Sequence, residues 1–186
     1  MTRLPETQLR ITEAAHTDLH HVLSVERAAF GRDDEAELVR SLLDDPSAYP
    51  LLSLLAWVDE RPVGHVLFTS VRVDDAPGAV SAAILAPLAV VPDAQRQGIG
   101  GRLIERGISV LSDRGAGLVF VLGHPDYYPR HGFEPAVPHG FVPPFPMPPE
   151  HEDAWMVRAL REDLVGAIRG RVVCADAMNR PEHWRE

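Results

Sequence analysis

Residues 90–115 read VVPDAQRQGIGGRLIERGISVLSDRG: two valines, a proline, three glycines within four positions, and then a mixed apolar and charged run. Placed on a wheel at about 100° per residue, Ile99, Leu103, Ile104, Ile108, Val110 and Leu111 fall in one half, and Arg102, Glu105, Arg106, Ser109, Ser112 and Asp113 in the other. The spacing predicts a helix over Arg96–Asp113, with Gly115 as its stop. SAAILAPLAVV before it and GLVFVLG (117–123) after it have strand length, and the second is apolar throughout, as a strand covered on both faces is. Strand, helix and strand in this order predict a β-α-β unit with parallel strands and a right-handed crossover.

Outward from this unit, LRITEA, beginning at Leu9, can form a strand. HTDLHHVLSVERAAF (16–30) places Leu19, Val22, Leu23, Val25, Ala29 and Phe30 at mostly helical spacing. DDEAELVRSLLDD (33–45) opens with acids suited to a helix amino terminus and sets Leu38, Val39, Leu42 and Leu43 on one side. LLSLLAWV and VGHVLFTSVRV, separated by Asp59-Glu60-Arg61-Pro62, read as a β-hairpin, and DDAPG after them reads as a turn. HPDYYPRHGF is turn-prone, because Pro129 restricts Tyr128 and lacks an N–H. The prolines from Pro135 to Pro149 favour an extended loop, DAWMVRAL (153–160) resumes the strand pattern, and GRVVCA is a candidate edge segment. One domain over 1–186 is expected, with 161–186 as a carboxy-terminal extension.

Composition narrows the functional classes. A net charge of −9 argues against nucleic acid as a partner, which needs a concentrated basic face. Solubility accounts for the acidity, which also suits a cationic substrate. No stretch approaches the ~20 apolar residues of a membrane span, and MTRLPETQLR lacks the apolar core of a leader, so neither membrane nor export is expected. A single cysteine, Cys174, forms no internal disulfide and has no metal-ligand spacing around it; no metal is expected, and a reducing cytoplasm is the expected setting. A homodimer stays open.

All 18 basic residues are arginine. Without lysine the glycine turn cannot be a Walker phosphate loop, and Leu103 stands where the dinucleotide fingerprint needs its third glycine. A strand running into a helix through QRQGIGG still exposes unpaired amides at the positive end of a helix dipole, where a diphosphate is welcome. Glycines there let the ligand approach the backbone.

LAVVPDAQRQGIGGRLI resembles the acetyl-coenzyme A signature of the GNAT N-acetyltransferase superfamily, Q/R-x-x-G-x-G/A, through Gln95, Gly98 and Gly100. VLGHPDYYPRHGFEPA is similar to the family's later segment, in which a tyrosine precedes Gly-Phe by four positions: Tyr128, then Gly132-Phe133. The element order agrees with the GNAT fold, an α/β (α+β) architecture whose mixed central sheet is flanked by helices on both faces. The resemblance implies that Leu88, Ala89 and Val90 run beside the pantetheine arm and that Gln95, Arg96, Gln97, Gly98, Ile99, Gly100 and Gly101 hold the pyrophosphate. It implies acetyl-CoA as cosubstrate, a small-molecule or peptide amine as acceptor, the Val90 N–H as oxyanion donor and Tyr128 as general acid. A phenol suits that task, since its reference pKa of about 10 lies close to the ~8.5 of a thiol. The strand AILAPLAVV carries no ionisable side chain, where family members often place the base; His65, His124 and Glu26 are candidates and none is assigned. By the same resemblance, DDEAELVRSLLDD and PHGFVPPFPMPPEHED border the acceptor entrance. A GNAT-like module that senses acyl-CoA without catalysis is the alternative.

Overall fold

The computed structural model describes residues 8–74, 76 and 80–185. The first seven residues, and the DDAPG turn apart from Asp74 and Ala76, lie outside them. The main elements are β1 (Leu9–Glu13), α1 (Leu19–Phe30), α2 (Asp34–Leu43), β2 (Leu52–Val58), β3 (Arg61–Val73), β4 (Ala82–Val90), α3 (Ile99–Asp113), β5 (Leu118–Leu122), β6 (Glu134–Pro135), β7 (Phe141–Val142), β8 (Trp155–Ala159) and β9 (Gly170–Val173). One sheet runs β1-β2-β3-β4-β5-β8-β6, and β9 bridges β3 and β7. Along that path β4 and β5 are the parallel pair, as the β-α-β reading requires, and their neighbours are antiparallel.

The β2–β3 hairpin follows from its apolar runs. Val58 faces Arg61 across a two-residue loop, Asp59-Glu60, with Asp59 at φ 53. Successive residues of β3 then look to opposite faces: Gly64 lies beneath Leu103 and Ile99 of α3, while His65 reaches Glu26 of α1. The mixed sheet thus carries helices on both faces, and the all-buried Leu118–Val121 segment of β5 reflects that double cover. On the far side Phe120 stacks on Trp155 and meets Phe141 edge-on.

Two elements depart from the sequence reading. The helix begins at Ile99 rather than Arg96, because Arg96 (φ 62) and Gly98 (φ 84) adopt left-handed backbone that no α-helix contains. Its end follows expectation: the Gly115 N–H bonds to Ser112 O and the Ala116 N–H to Leu111 O. GRVVCA supplies β9, which is paired on two sides, to Arg72–Val73 of β3 and to β7.

Candidate coenzyme and acceptor site

β4 is paired to β5 only from Ala82 to Leu85. Beyond that point the strands separate, and the register against β3 shows where: Phe68 faces Leu85 and Val66 faces Leu88, so Leu67 opposes both Ala86 and Pro87. This bulge bends β4, and a proline without an N–H suits a position where the ladder stops. The Val91 N–H donates to Val63 O, which makes Gly64 and Val90 a non-hydrogen-bonded pair. The N–H and C=O of Val90, and by the same two-residue period those of Leu88, therefore point away from β3 into the opening. Ala89 points its groups at His65 instead.

At the end of that edge a 3-10 turn, Pro92–Ala94, leads into the glycines. Arg61 clamps Asp93 at 2.7 Å, and the Gln95 side-chain amide donates to Val90 O at 2.9 Å, so the Gln95 side chain holds the turn while its N–H closes it on Pro92 O. Gly98 is the residue just before α3, in a conformation that disfavours a side chain, with open space where a Cβ would stand. The Arg102 N–H is the first to bond back, to Gly98 O, which leaves the amides of Ile99, Gly100 and Gly101 at the mouth of the helix. These residues fit a diphosphate: the cradle is main chain, open at Gly98, and continuous with the free edge of β4.

The tyrosines divide. Tyr128 opens a 3-10 turn (Tyr128–His131); its ring lies against Gly123 and Phe133, and burial pushes its pKa up, so it stays protonated at neutral pH. Tyr127 is half-buried and also raised by burial. Its hydroxyl stands where a Cβ at Gly100 would come within 2.7 Å, and His131 occupies the equivalent space over Gly101. From the sequence, Tyr127 is set aside as a second acid because neighbouring side chains on a helical turn point about 100° apart, and His131 is not singled out. The signal was in the glycines, since two of them in the first turn of a helix leave room for something above.

Beside the β4–β5 split lies a cavity of about 540 Å³. Its floor includes Ile84, Leu85 and Leu122; one wall is α2 and the other is the segment 177–185. That segment is pinned: Asp176 N donates to Ser47 Oγ, Ala177 N to Asp45 Oδ2 and Trp184 Nε1 to Met178 O, with Trp184 edge-on to Trp155. The acids of α2 are where the sequence placed them. The loop 138–153 contributes nothing to this wall, because buried Phe141 draws it onto Phe120 and Trp155. The second wall of this cavity is the carboxy-terminal segment instead.

Residues 17–133 match the acetyltransferase (GNAT) family. The chain belongs to the GNAT family. It is 47% identical over 161 residues to an uncharacterised N-acetyltransferase, YjhQ, of Escherichia coli K12, with 86% of this chain and 88% of the relative covered. The crystal structure of the E. coli GNAT family N-acetyltransferase YhbS in complex with CoA superposes with a TM-score of 0.84 at 30% identity, covering 95% of this chain and 94% of that one. A GNAT acetyltransferase of Brucella melitensis in complex with acetyl-CoA gives 0.72 at 27% identity, covering 91% and 97%.

None of the three candidate bases lines this GNAT cavity. His65 Nδ1 lies 2.5 Å from Glu26 Oε1 and its Nε2 2.8 Å from Ser53 Oγ, all three buried under α1. Burial raises the Glu26 pKa and the hydrogen bond from His65 opposes it; Glu26 Oε2 has no partner among the described residues. The sequence held a sign of this, because Glu26 falls on the same stripe as Val22 and Leu23. His124 is exposed at the end of β5, and its carbonyl accepts from the N–H groups of Tyr127 and Tyr128. In the cavity wall the carboxylate with a largely buried side chain is Glu35, 15% exposed and held by Arg32.

Proposed function

We propose that the protein is an acetyl-CoA-dependent N-acetyltransferase that moves the acetyl group directly to a primary amine within a ternary complex. The observation that carries this reading is the free edge of β4 running without a break into the main-chain cradle of Ile99–Gly101. Leu88 and Val90 pair with the pantetheine arm, and Gln95 through Gly101 receive the pyrophosphate. Each charge-assisted amide contact contributes on the order of 1.5–3 kcal/mol.

The amine nitrogen attacks the thioester carbonyl, the Val90 N–H receives the developing oxyanion, and the carbon–sulfur bond breaks. Tyr128 donates its proton to the departing thiolate, a transfer that its burial-raised pKa makes less favourable than for a free phenol, and the proton given up by the amine returns to the phenolate through solvent. A covalent route through Cys174 is disfavoured, since burial raises that thiol to about 11 and it lies in the carboxy-terminal segment. The chemistry suits the reducing cytoplasm.

Thermal unfolding with and without CoA, followed by thiol release from acetyl-CoA across a panel of amines, tests the reading. Catalysis gives a stabilising shift and amine-dependent thiol release. A shift with release at background would mark a sensor instead, and no shift would leave the cradle empty.

A further inference from the structure

The acceptor cavity carries opposite charge on its two walls. On α2 stand Asp34, Glu35 and Glu37, with Arg32 just before the helix; on the carboxy-terminal segment, Arg180 and Arg185 stand with Glu182. Arg32 and Glu35 largely cancel, the guanidinium reaching the carboxylate at 2.6 Å. Arg32 also lies 3.9 Å from Asp34, so what is left facing the cavity is a net negative wall at α2 and a wall at residues 180–185 on which two guanidiniums outnumber one carboxylate, Glu182. Between them the floor is apolar, with Ile84 and Leu85 where β4 leaves β5, and Met178 and Trp184 closing it from the segment.

This division selects among amines. A polycation would meet favourable carboxylates on one side and two guanidiniums on the other. An ampholyte satisfies both walls when its amine lies toward α2 and its anion toward Arg180 and Arg185. The apolar floor adds a second constraint. An ammonium brought onto Ile84 and Leu85 loses hydration, which lowers its pKa and favours the neutral amine that attacks a thioester. That floor also rewards an apolar body on the acceptor, and the volume is that of a small-ligand site.

Resting on the acetyltransferase reading above, we propose that the acceptor is an aminocarboxylate with an apolar side chain, a free amino acid or a short peptide, whose carboxylate is bound by Arg180 and Arg185. The family match ends at residue 133, so these arginines lie outside the part of the chain that carries the family's common features. Both are exposed, and the segment is fixed by Trp184 and by the Asp45 and Ser47 contacts rather than by them.

The test is thiol release from acetyl-CoA with leucine, phenylalanine and the dipeptide Leu-Ala, with leucinamide and phenylalaninamide, and with spermidine and kanamycin. The proposal expects each aminocarboxylate to exceed its amide by about tenfold in kcat/KM, a factor appropriate to a charge-assisted contact, and the polycations to trail both. Leucine against Leu-Ala separates the two sources. In the double variant R180A/R185A, folded as judged by an unchanged Tm, the ratio of carboxylate to amide should fall toward one. Amides or polycations turning over as well as the aminocarboxylates would overturn the proposal and leave acetyl transfer standing; no release with any amine would overturn the acetyltransferase reading beneath it.

Discussion

On the candidate coenzyme side the available groups are main chain, the outward N–H and C=O of Leu88 and Val90 and the amides of Ile99, Gly100 and Gly101, with the Gln95 side chain holding the turn between them. Across the split, the candidate acceptor cavity is walled by side chains from α2, from the middle of β4 and the end of β5, and from residues 177–185, which are brought together only by folding. A surface made of backbone tolerates change wherever the conformation survives. A surface made of side chains changes specificity with each substitution and leaves the coenzyme side untouched.

The proposed general acid, Tyr128, belongs to neither surface, and its replacement breaks the separation most sharply. Tyr128→Phe should lower kcat by about 10²–10⁴ while calorimetry finds CoA affinity nearly unchanged; undiminished turnover would remove Tyr128 from the mechanism. Next in size is the buried chain under α1. His65→Leu leaves the Glu26 carboxyl without its donor and should cost about 3–5 kcal/mol in denaturant unfolding, with the double change Glu26→Leu, His65→Leu recovering much of it. Because burial raises the Glu26 pKa, the folded state holds its proton more tightly than the unfolded one. The contribution of Glu26 to stability is fully present below the ordinary glutamate range and is lost as pH rises through the raised value, so the His65→Leu deficit should shrink on acidification.

On the coenzyme side, Gly98→Ala forces a side chain into φ 84 and should cost about 1–2 kcal/mol while weakening the CoA-induced thermal shift. An unchanged shift would mean that the cradle does not depend on the left-handed entry to α3. On the candidate acceptor side, Asp45→Asn tests the pinning of the carboxy-terminal segment. The Ser47 hydroxyl, then the amides of Ala177 and Ser47, hold this exposed carboxyl below its usual range. Its support is present above the ordinary aspartate pKa and is lost as pH falls through the lowered one; after solvent screening the loss should stay below about 1 kcal/mol. The informative readout is KM for the amine at constant KM for acetyl-CoA.

Much of the coenzyme side was legible because its signals are local. Apolar runs of strand length, a 3.6-residue stripe and glycines at the junction each depend on a few neighbouring residues, and together they anticipated β4, α3, β5 and the turn between them. Legibility failed where a residue's environment comes from elsewhere. Glu26 sits on an apolar stripe yet is buried against His65 and Ser53. Tyr127 and His131 cover glycines some 27–30 positions earlier in the chain. The loop 138–153 had the composition of a border and was drawn away by Phe141, whereas residues 177–185 form short 3-10 turns with no periodicity to read.

The sequence by itself determined the family, the β-α-β core and the glycine-rich entry to its helix, because backbone conformation is governed largely by near neighbours in the chain. Only the tertiary structure decided which side chains wall the acceptor cavity, which tyrosine lies over the glycines and which carboxylate is buried. Those depend on contacts between segments far apart in the chain, and no local pattern encodes which of many polar side chains packing will bring together.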